Sequence, residues 1–480
     1  MYVNRQSNRG SSSTPGRGAG RGYFARGRSN FRGRPVEVPR AASPPLGEIL
    51  ERVQTHETDL IEFSDSEDEN DNKEQEHSAS LKIVNCKDVA TFNWMNKATP
   101  TILVPGKPPA WTPLHSPRRL PEDGGAYFRD KNAAQYPSRP IEPAVQALLT
   151  LNPNFPTSSI DIFACNSTLG NLLRHVFNRV ERPFRFLVEA VGNTVFFVRR
   201  ENSPTQLIDA VRGFGHTFPE AYTTWESDVR GSDTHQRIVQ YEFGGLNFLV
   251  RFAADGYYKD LVPNDTTPGS KLSDSPKPTD ESSIDDTLAL ALGESTIASR
   301  LSTSITLSSS SSSPSLSLSS SSSPSSTSSP QVQKEQKLTI LQDGSQLIPR
   351  AAVFDIKTRS VRKKDTGILA GELPRLWAAQ NPNFVLAYHQ SGLFEDIEET
   401  DIRDDIQRWE RRNEDALRTY ADLLKKIITF ARARKDGKFE VVCSAVDGLV
   451  FREQGGDDVS STLSSAVQDR WLGKKHPVKE

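Results

Sequence analysis

The stretch "AVFDIKTRS", Ala352 to Ser360, sets a carboxylate, Asp355, and an ammonium, Lys357, two residues apart in a run that otherwise reads as a β-strand. Strand side chains alternate with period two, so Asp355 and Lys357 share one face while Phe354 and Ile356 share the other. A second acid, Asp255, ends the apolar run "LNFLVRFAAD". Carboxylates beside an amine suit hydrolysis of a phosphodiester or pyrophosphate. A hard divalent cation, Mg²⁺ or Mn²⁺, held by carboxylate and carbonyl oxygens polarises the phosphate and lowers the pKa of a bound water. Asp255 and Asp355, with the carbonyl of Ile356, would supply those oxygens. Lys357 would orient the water and offset charge growing on the phosphate. Alone, Asp-x-Lys is a weak signal, because the solvated face of an edge strand carries the same pattern.

Elements must place these residues. "FRFLVEAVGNTVFFVRR" reads as a hairpin about Gly192-Asn193, and "HQRIVQYEFGGLNFLVRFAADGY" as a second, turning at Gly244-Gly245 and ending in Asp255. Before them "STLGNLLRHVFNRV" predicts a helix capped by Ser167 or Thr168, with Leu169, Leu172, Leu173, Val176 and Val180 on one stripe. The Pro- and Gly-rich stretch 98–160 predicts irregular structure with one short helix near Glu142 to Leu151. After Lys357, "GELPRLWAAQ" predicts a helix and "FVLAYHQSGLFEDI" a strand. One long helix follows from about Ile402 to Arg434, with Trp409, Leu417, Tyr420, Leu424, Ile427 and Ala431 largely on one face. "KFEVVCSAV" adds a final strand.

The 480 residues carry a net charge of −2 and only 35% hydrophobic side chains, and the mean hydropathy is −0.55. Part of such a chain is expected to be disordered. Residues 1–40 form an Arg-Gly arm, "GRGAGRGYFARGRSNFRGR", with Arg17, Arg21, Arg26, Arg28, Arg32 and Arg34 among Tyr23, Phe24 and Phe31 and no lysine. Guanidinium planes pair with phosphate and stack on bases, so the arm reads as an RNA-binding segment, the plainer alternative being a solubilising tail. Residues 41–97, including "ETDLIEFSDSEDENDNKEQE", read as an acidic disordered linker. Residues 98–260 and 338–452 read as two parts of one folded domain, separated by a disordered Ser/Pro-rich insertion over 261–337, and 453–480 as a C-terminal tail. Cys86, Cys165 and Cys443 are scattered and odd in number, which fits a reducing compartment, nucleus or cytoplasm. No apolar window approaches the length of a membrane span. His216, His235 and His389 lack a nucleophile signature beside them and read as structural. Arg199 and Arg200 on a strand edge, and the run Lys357, Arg359, Arg362, Lys363 and Lys364, suit a polyanion as well as a solvated edge or a targeting signal.

The order helix, strands, helix, strand, with an acid at one strand end and Asp-x-Lys on the next, resembles the PD-(D/E)XK nuclease core. Residues 167–260 and 338–434 resemble in particular the DXO-type decapping exoribonucleases. "GHTFPEAY" gives Glu220, "VRFAADGY" Asp255, "FDIKTRS" Asp355 and Lys357, and "LWAAQ" Trp377 and Gln380, in the family's order. The resemblance implies an α/β fold, a PD-(D/E)XK nuclease-like mixed sheet flanked by helices. It implies a metal site of Glu220, Asp255 and Asp355 for Mg²⁺ or Mn²⁺, and catalytic roles for Glu220, Asp355, Lys357 and Gln380 on RNA 5′ ends. The chain departs from the pattern at Ala253, where an acid is expected, and at Asp355, one methylene shorter than the expected Glu; Glu226 is a candidate replacement. Phrases such as "STLGNLLR", "VFFVRRENSP" and "GHTFPEAYTTWE" are similar to a group of fungal proteins with an Arg-Gly arm, often labelled geranylgeranyl pyrophosphate synthetase. Prenyl synthases carry two Asp-Asp-x-x-Asp motifs, which Asp285-Asp286, Asp404-Asp405 and Asp457-Asp458 do not form. Two functions are therefore expected: a metal-dependent RNA-end hydrolase, or a catalytically impaired relative that binds RNA or a protein partner through the same cleft.

Overall fold

A computed structural model describes residues 42–53, 81–180, 182–263, 337–342, 346–456 and 460–474. The six arm arginines, Arg17 to Arg34, the acidic run and the serine tract lie outside the described residues.

Two sheets, of eleven and six strands among the described residues, are flanked by helices. The large sheet runs from the edge strand Ile49–Arg52 through Gly448–Arg452 and Lys438–Ser444 to the hairpin Phe184–Val191 and Thr194–Arg200. Ile162–Cys165 follows, then the hairpin Leu246–Ala254 and Ser232–Phe243, then Val84–Met95, Thr101–Val104 and Thr339–Gln342. The small sheet is ordered Leu393–Asp401, Asn383–Gln390, Val353–Ser360, Gly256–Tyr257, Ala110–Trp111 and Thr223–Thr224. Both expected hairpins form, the second because Gly244 and Gly245 take positive φ (60° and 80°) in its two-residue turn. The chain on either side of the insertion builds the same sheets. Thr339–Gln342 pairs with Thr101–Val104, and Val353–Phe354 with Gly256–Tyr257.

Asp255 lies where the chain leaves the large sheet for the small one. Its N–H donates to the carbonyl of Phe354 at 3.3 Å. A side chain on the next residue, Gly256, would meet the Phe354 ring at 2.2 Å, so only glycine lets the two sheets close at this point. One face of the large sheet buries Phe243, Trp377 and Tyr420 under the helices Asn166–Val176, Ile368–Ala379 and Glu414–Ala433. The other buries Trp94, Phe163 and Trp471 under Glu142–Leu151 and Ser465–Trp471. Phe354 and Ile356 enter a third cluster, so the opposite face of their strand carries Asp355 and Lys357 as its period requires.

The structure corrects several expectations. The helix 402–434 is two helices, Arg403–Arg412 and Glu414–Ala433, because the amide of Asn413 donates to the carbonyl of Trp409 at 2.6 Å and closes the first. "FVLAYHQSGLFEDI" is a hairpin, Asn383–Gln390 with Leu393–Asp401, turning at Ser391-Gly392, both at positive φ. The linker 41–97 contains the strand Val84–Met95, with Phe92 and Trp94 fully buried; acidic neighbours hid its apolar second half. The tail 453–480 contains Ser465–Trp471, whose Trp471 packs on Phe163 and Phe196 at 6.0 and 5.5 Å. The leucine-rich helix begins at Asn166 with Cys165 at its N-cap, two or three residues ahead of the expected Ser167 or Thr168. Lys438–Ser444 is followed by a further strand, Gly448–Arg452.

Candidate functional site

Asp355 is 6% exposed, and both its oxygens are taken by one guanidinium. Arg375, near the end of the helix Ile368–Ala379, donates from Nη1 to Oδ2 at 2.5 Å and from Nη2 to Oδ1 at 2.7 Å. Its Nε reaches Glu372 Oε2 at 3.1 Å, one turn earlier on the same helix. The other oxygen of Glu372 holds the ammonium of Lys357 at 2.7 Å. Asp255 Oδ2 accepts the backbone N–H of Ile356 at 2.7 Å, which fastens it beside Asp355. Asp355, Glu372, Arg375 and Lys357 thus form one ion-pair network, with Asp255 fastened beside it. Burial, and then the nearby Asp355 charge, push the Asp255 carboxyl up to about 7, against the pull of the Ile356 N–H, Arg375 and Lys357. Burial disfavours the charge on Arg375, but Asp355 outweighs it and leaves the guanidinium more firmly protonated than usual. Burial likewise opposes ionisation of Glu372, but Arg375 and Lys357 prevail and hold it below its ordinary range.

Among the expected site residues, Asp255, Asp355 and Lys357 come together. Glu220, exposed on the helix Thr217–Tyr222, lines the same cleft of about 620 Å³ as Asp255, Ala253 and Arg375. Gln380 does not line that cleft: it ends its helix at φ 51°, and its amide donates to the carbonyl of Trp377 at 2.8 Å. Glu226 is committed elsewhere, to Lys107 at 2.8 Å, Lys259 at 2.7 Å and the Tyr257 hydroxyl at 2.6 Å. Burial would raise it, but these three partners hold its pKa at about 2. Ala253 presents a methyl group to the cleft, opposite Gln236 on the neighbouring strand. Among the described residues no three His, Cys, Asp or Glu side chains gather as a metal-holding group. With Asp355 already forked by Arg375, the donors present do not fit Mg²⁺ or Mn²⁺, which need a shell of oxygens.

The histidines are built into the fold. His235, 1% exposed, places Nδ1 2.7 Å from Asn93 Oδ1. The Asn93 amide donates to Lys107 O and Ser232 Oγ, so its Oδ1 must accept and Nδ1 carries the hydrogen. Burial keeps that ring neutral. His216 stacks on Tyr127 at 3.7 Å, and His389 packs edge-on against Phe214 at 4.4 Å.

A second charge feature beside the cleft was not legible in the sequence. A channel of about 720 Å³ is lined by nine cationic side chains, Arg129, Arg174, Arg179, Arg182, Arg185, Arg199, Arg200, Lys357 and Arg375, against two acids, Glu201 and Glu372. Three more acids stand behind the wall: Glu440, fully buried between Arg185 at 2.7 Å and Arg200 at 3.2 Å; Asp355; and Asp130, 4.0 Å from Arg199. Among these described lining residues cations outnumber acids. Half-buried Phe177 and Phe184 line the same channel. Arg129, Arg199 and Arg375 border both channel and cleft, so the carboxylate centre lies where the two meet. From Lys357 a further depression continues along Arg359, Lys363 and Arg212. These cations come from loops, strands and helices hundreds of residues apart, and local pattern marked only Arg199, Arg200 and Lys357 among them.

Fold and site define a mixed α/β protein with a carboxylate pair at the head of a basic channel. The model of a family described as Domain of unknown function (DUF8563) matches residues 72–275 and 271–445, and the chain belongs to that family. No curated protein matches. Among solved structures the chain is similar to Rai1 of Scheffersomyces stipitis, in complex with (3′-NADP)+ and calcium ion, at 10% identity and a TM-score of 0.47, over 82% of this chain and 96% of that one. It is similar to Candida albicans Rai1 in complex with pU5-Mn2+ at 9% and 0.46, over 83% and 97%. A third is K. lactis Dxo1 in complex with manganese, at 9% and 0.40, over 80% and 93%. Rai1 and Dxo1 are proteins of the DXO family that the motifs resemble. What the site does is read from this chain's own residues.

Proposed function

We propose that this chain binds single-stranded RNA along the arginine-lined channel and holds it there without metal-dependent hydrolysis. The excess of cations over acids around Phe177 and Phe184 carries the reading. Guanidinium groups pair with backbone phosphates, and aromatic faces stack on bases whatever the sequence, the combination used for single strands. The Arg-Gly arm favours RNA through the same chemistry. At the head of the channel, Arg375 and Lys357 face an incoming phosphate, and their salt bridges to Asp355 and Glu372 fix their positions beforehand. The hydrolase alternative has less support in the donor set, since Asp355 is forked by Arg375 and Glu372 is shared between Arg375 and Lys357.

Fluorescence anisotropy with a labelled 5′-phosphorylated RNA oligonucleotide tests this, with product followed on a gel. The expected result is equal affinity in EDTA and in Mn²⁺, weakening as salt rises, with the RNA intact. Mn²⁺-dependent cleavage abolished by Asp355→Asn would overturn the binding-only reading. Affinity indifferent to Arg179→Glu with Arg182→Glu would remove the channel from it.

A further inference from the structure

Two acids side by side, Asp355 buried and Asp255 half-buried, keep their charge only beside a cation, and a cation is already present. Arg375 is clamped rather than loosely paired. Its three kinds of nitrogen reach Asp355 Oδ1, Asp355 Oδ2 and Glu372 Oε2, and its carbonyl is anchored by the amide of Asn166 at 3.1 Å. A planar guanidinium forked on both oxygens of a carboxylate stands where a divalent ion would have to coordinate that carboxylate. Asp255 uses Oδ2 for the Ile356 N–H, which fixes its carboxylate beside Asp355. Ala253, exposed and bordering the same cleft, leaves room for a larger side chain.

We infer that Arg375 is the resident cation of this acidic pair, a fixed guanidinium in the place of a metal ion, and that a divalent-metal site lies latent beneath it. The inference deepens the proposed binding function and rests on it: a centre neutralised from within needs no metal to meet a phosphate. Removing the guanidinium would release both oxygens of Asp355. Adding an acid at Ala253 would then bring the hard oxygen donors to three carboxylates, enough to anchor Mn²⁺ with water completing its shell.

Mn²⁺ uptake by the full chain, read from loss of the free-ion signal in electron paramagnetic resonance, tests this. The natural chain and Ala253→Glu are expected to leave the signal unchanged at equimolar Mn²⁺. Arg375→Gln should tighten binding by at least about tenfold, and Arg375→Gln combined with Ala253→Glu further still. Uptake by the natural chain that Asp355→Asn abolishes would overturn the inference. So would a folded Arg375→Gln, checked by circular dichroism, that binds no better than the natural chain. If Arg375→Gln does not fold, Ala253→Glu with Arg375 retained decides: uptake refutes the inference, and none supports it. RNA affinity measured on the same samples separates the two readings. Mn²⁺ uptake by the natural chain contradicts the resident-cation role alone, whereas absence of RNA binding contradicts the channel and leaves the metal result standing.

Discussion

Asp255→Asn is expected to stabilise the protein, increasingly so as pH rises. The carboxyl titrates at about 7 in the fold against an ordinary value of 3.8, because burial and the Asp355 charge both disfavour its ionised form. The unfolded chain therefore loses its proton first as pH rises, and between about pH 4 and pH 7 the folded state binds more protons than the unfolded one. Stability is full below pH 4 and is lost as pH climbs through 7. A rise of three pKa units at about 1.4 kcal/mol each bounds the effect near 4 kcal/mol. Asp255 is only half-buried against the cleft, so water screens part of this and about 2 kcal/mol is the working figure. Asn keeps the acceptor for the Ile356 N–H at 2.7 Å and removes the charge. Urea unfolding at pH 4.5 and pH 8 should show little difference at the lower pH and a gain of about 2 kcal/mol at the higher. A variant less stable than the natural chain at pH 8, or a gain that does not change with pH, would rule out a raised Asp255 carboxyl as the cause.

Reversing charge at two exposed channel positions, Arg179→Glu with Arg182→Glu, should weaken RNA binding at least tenfold and flatten its dependence on salt, each lost phosphate contact lowering the log–log slope by about 0.7. Glu440→Gln leaves Arg185 and Arg200 without their buried anion and should cost about 3 kcal/mol in urea unfolding. Trp471→Ala opens a cavity against Phe163 and Phe196 and should cost about 3–5 kcal/mol, reporting that the C-terminal helix belongs to the core. Deleting residues 273–329 should change stability by less than about 1 kcal/mol, because closure entropy depends weakly on loop length; loss of cooperative unfolding would show that the segment does more than connect.

Local pattern carried the two hairpins, the helix over Glu142–Leu151 and the pairing of Asp355 with Lys357 on one strand face, because strand period and turn chemistry are short-range. It failed where a single polar side chain decides. Asn413 breaks a helix whose apolar stripe continues past it, and Ser391-Gly392 turns a run that reads as one strand. Val84–Met95 was obscured by averaging over acidic neighbours, and Trp471 by distance from any other apolar run. At the site, the resemblance to the nuclease core placed Asp255 and Asp355 together but said nothing of Arg375, since a guanidinium on the helix after the strand announces no partner. The channel was the least legible of all. Its nine cations are neighbours only after the sheets have formed.

Photocrosslinking with 4-thiouridine-substituted RNA, mapped by mass spectrometry on the full chain in EDTA, shows where RNA lies on the protein. Crosslinks on the peptides bearing Phe177, Phe184 and Arg375 are expected, competed by unlabelled RNA and reduced in Arg179→Glu with Arg182→Glu. Crosslinks confined to peptides outside the channel, unchanged by that charge reversal, would contradict binding along the channel.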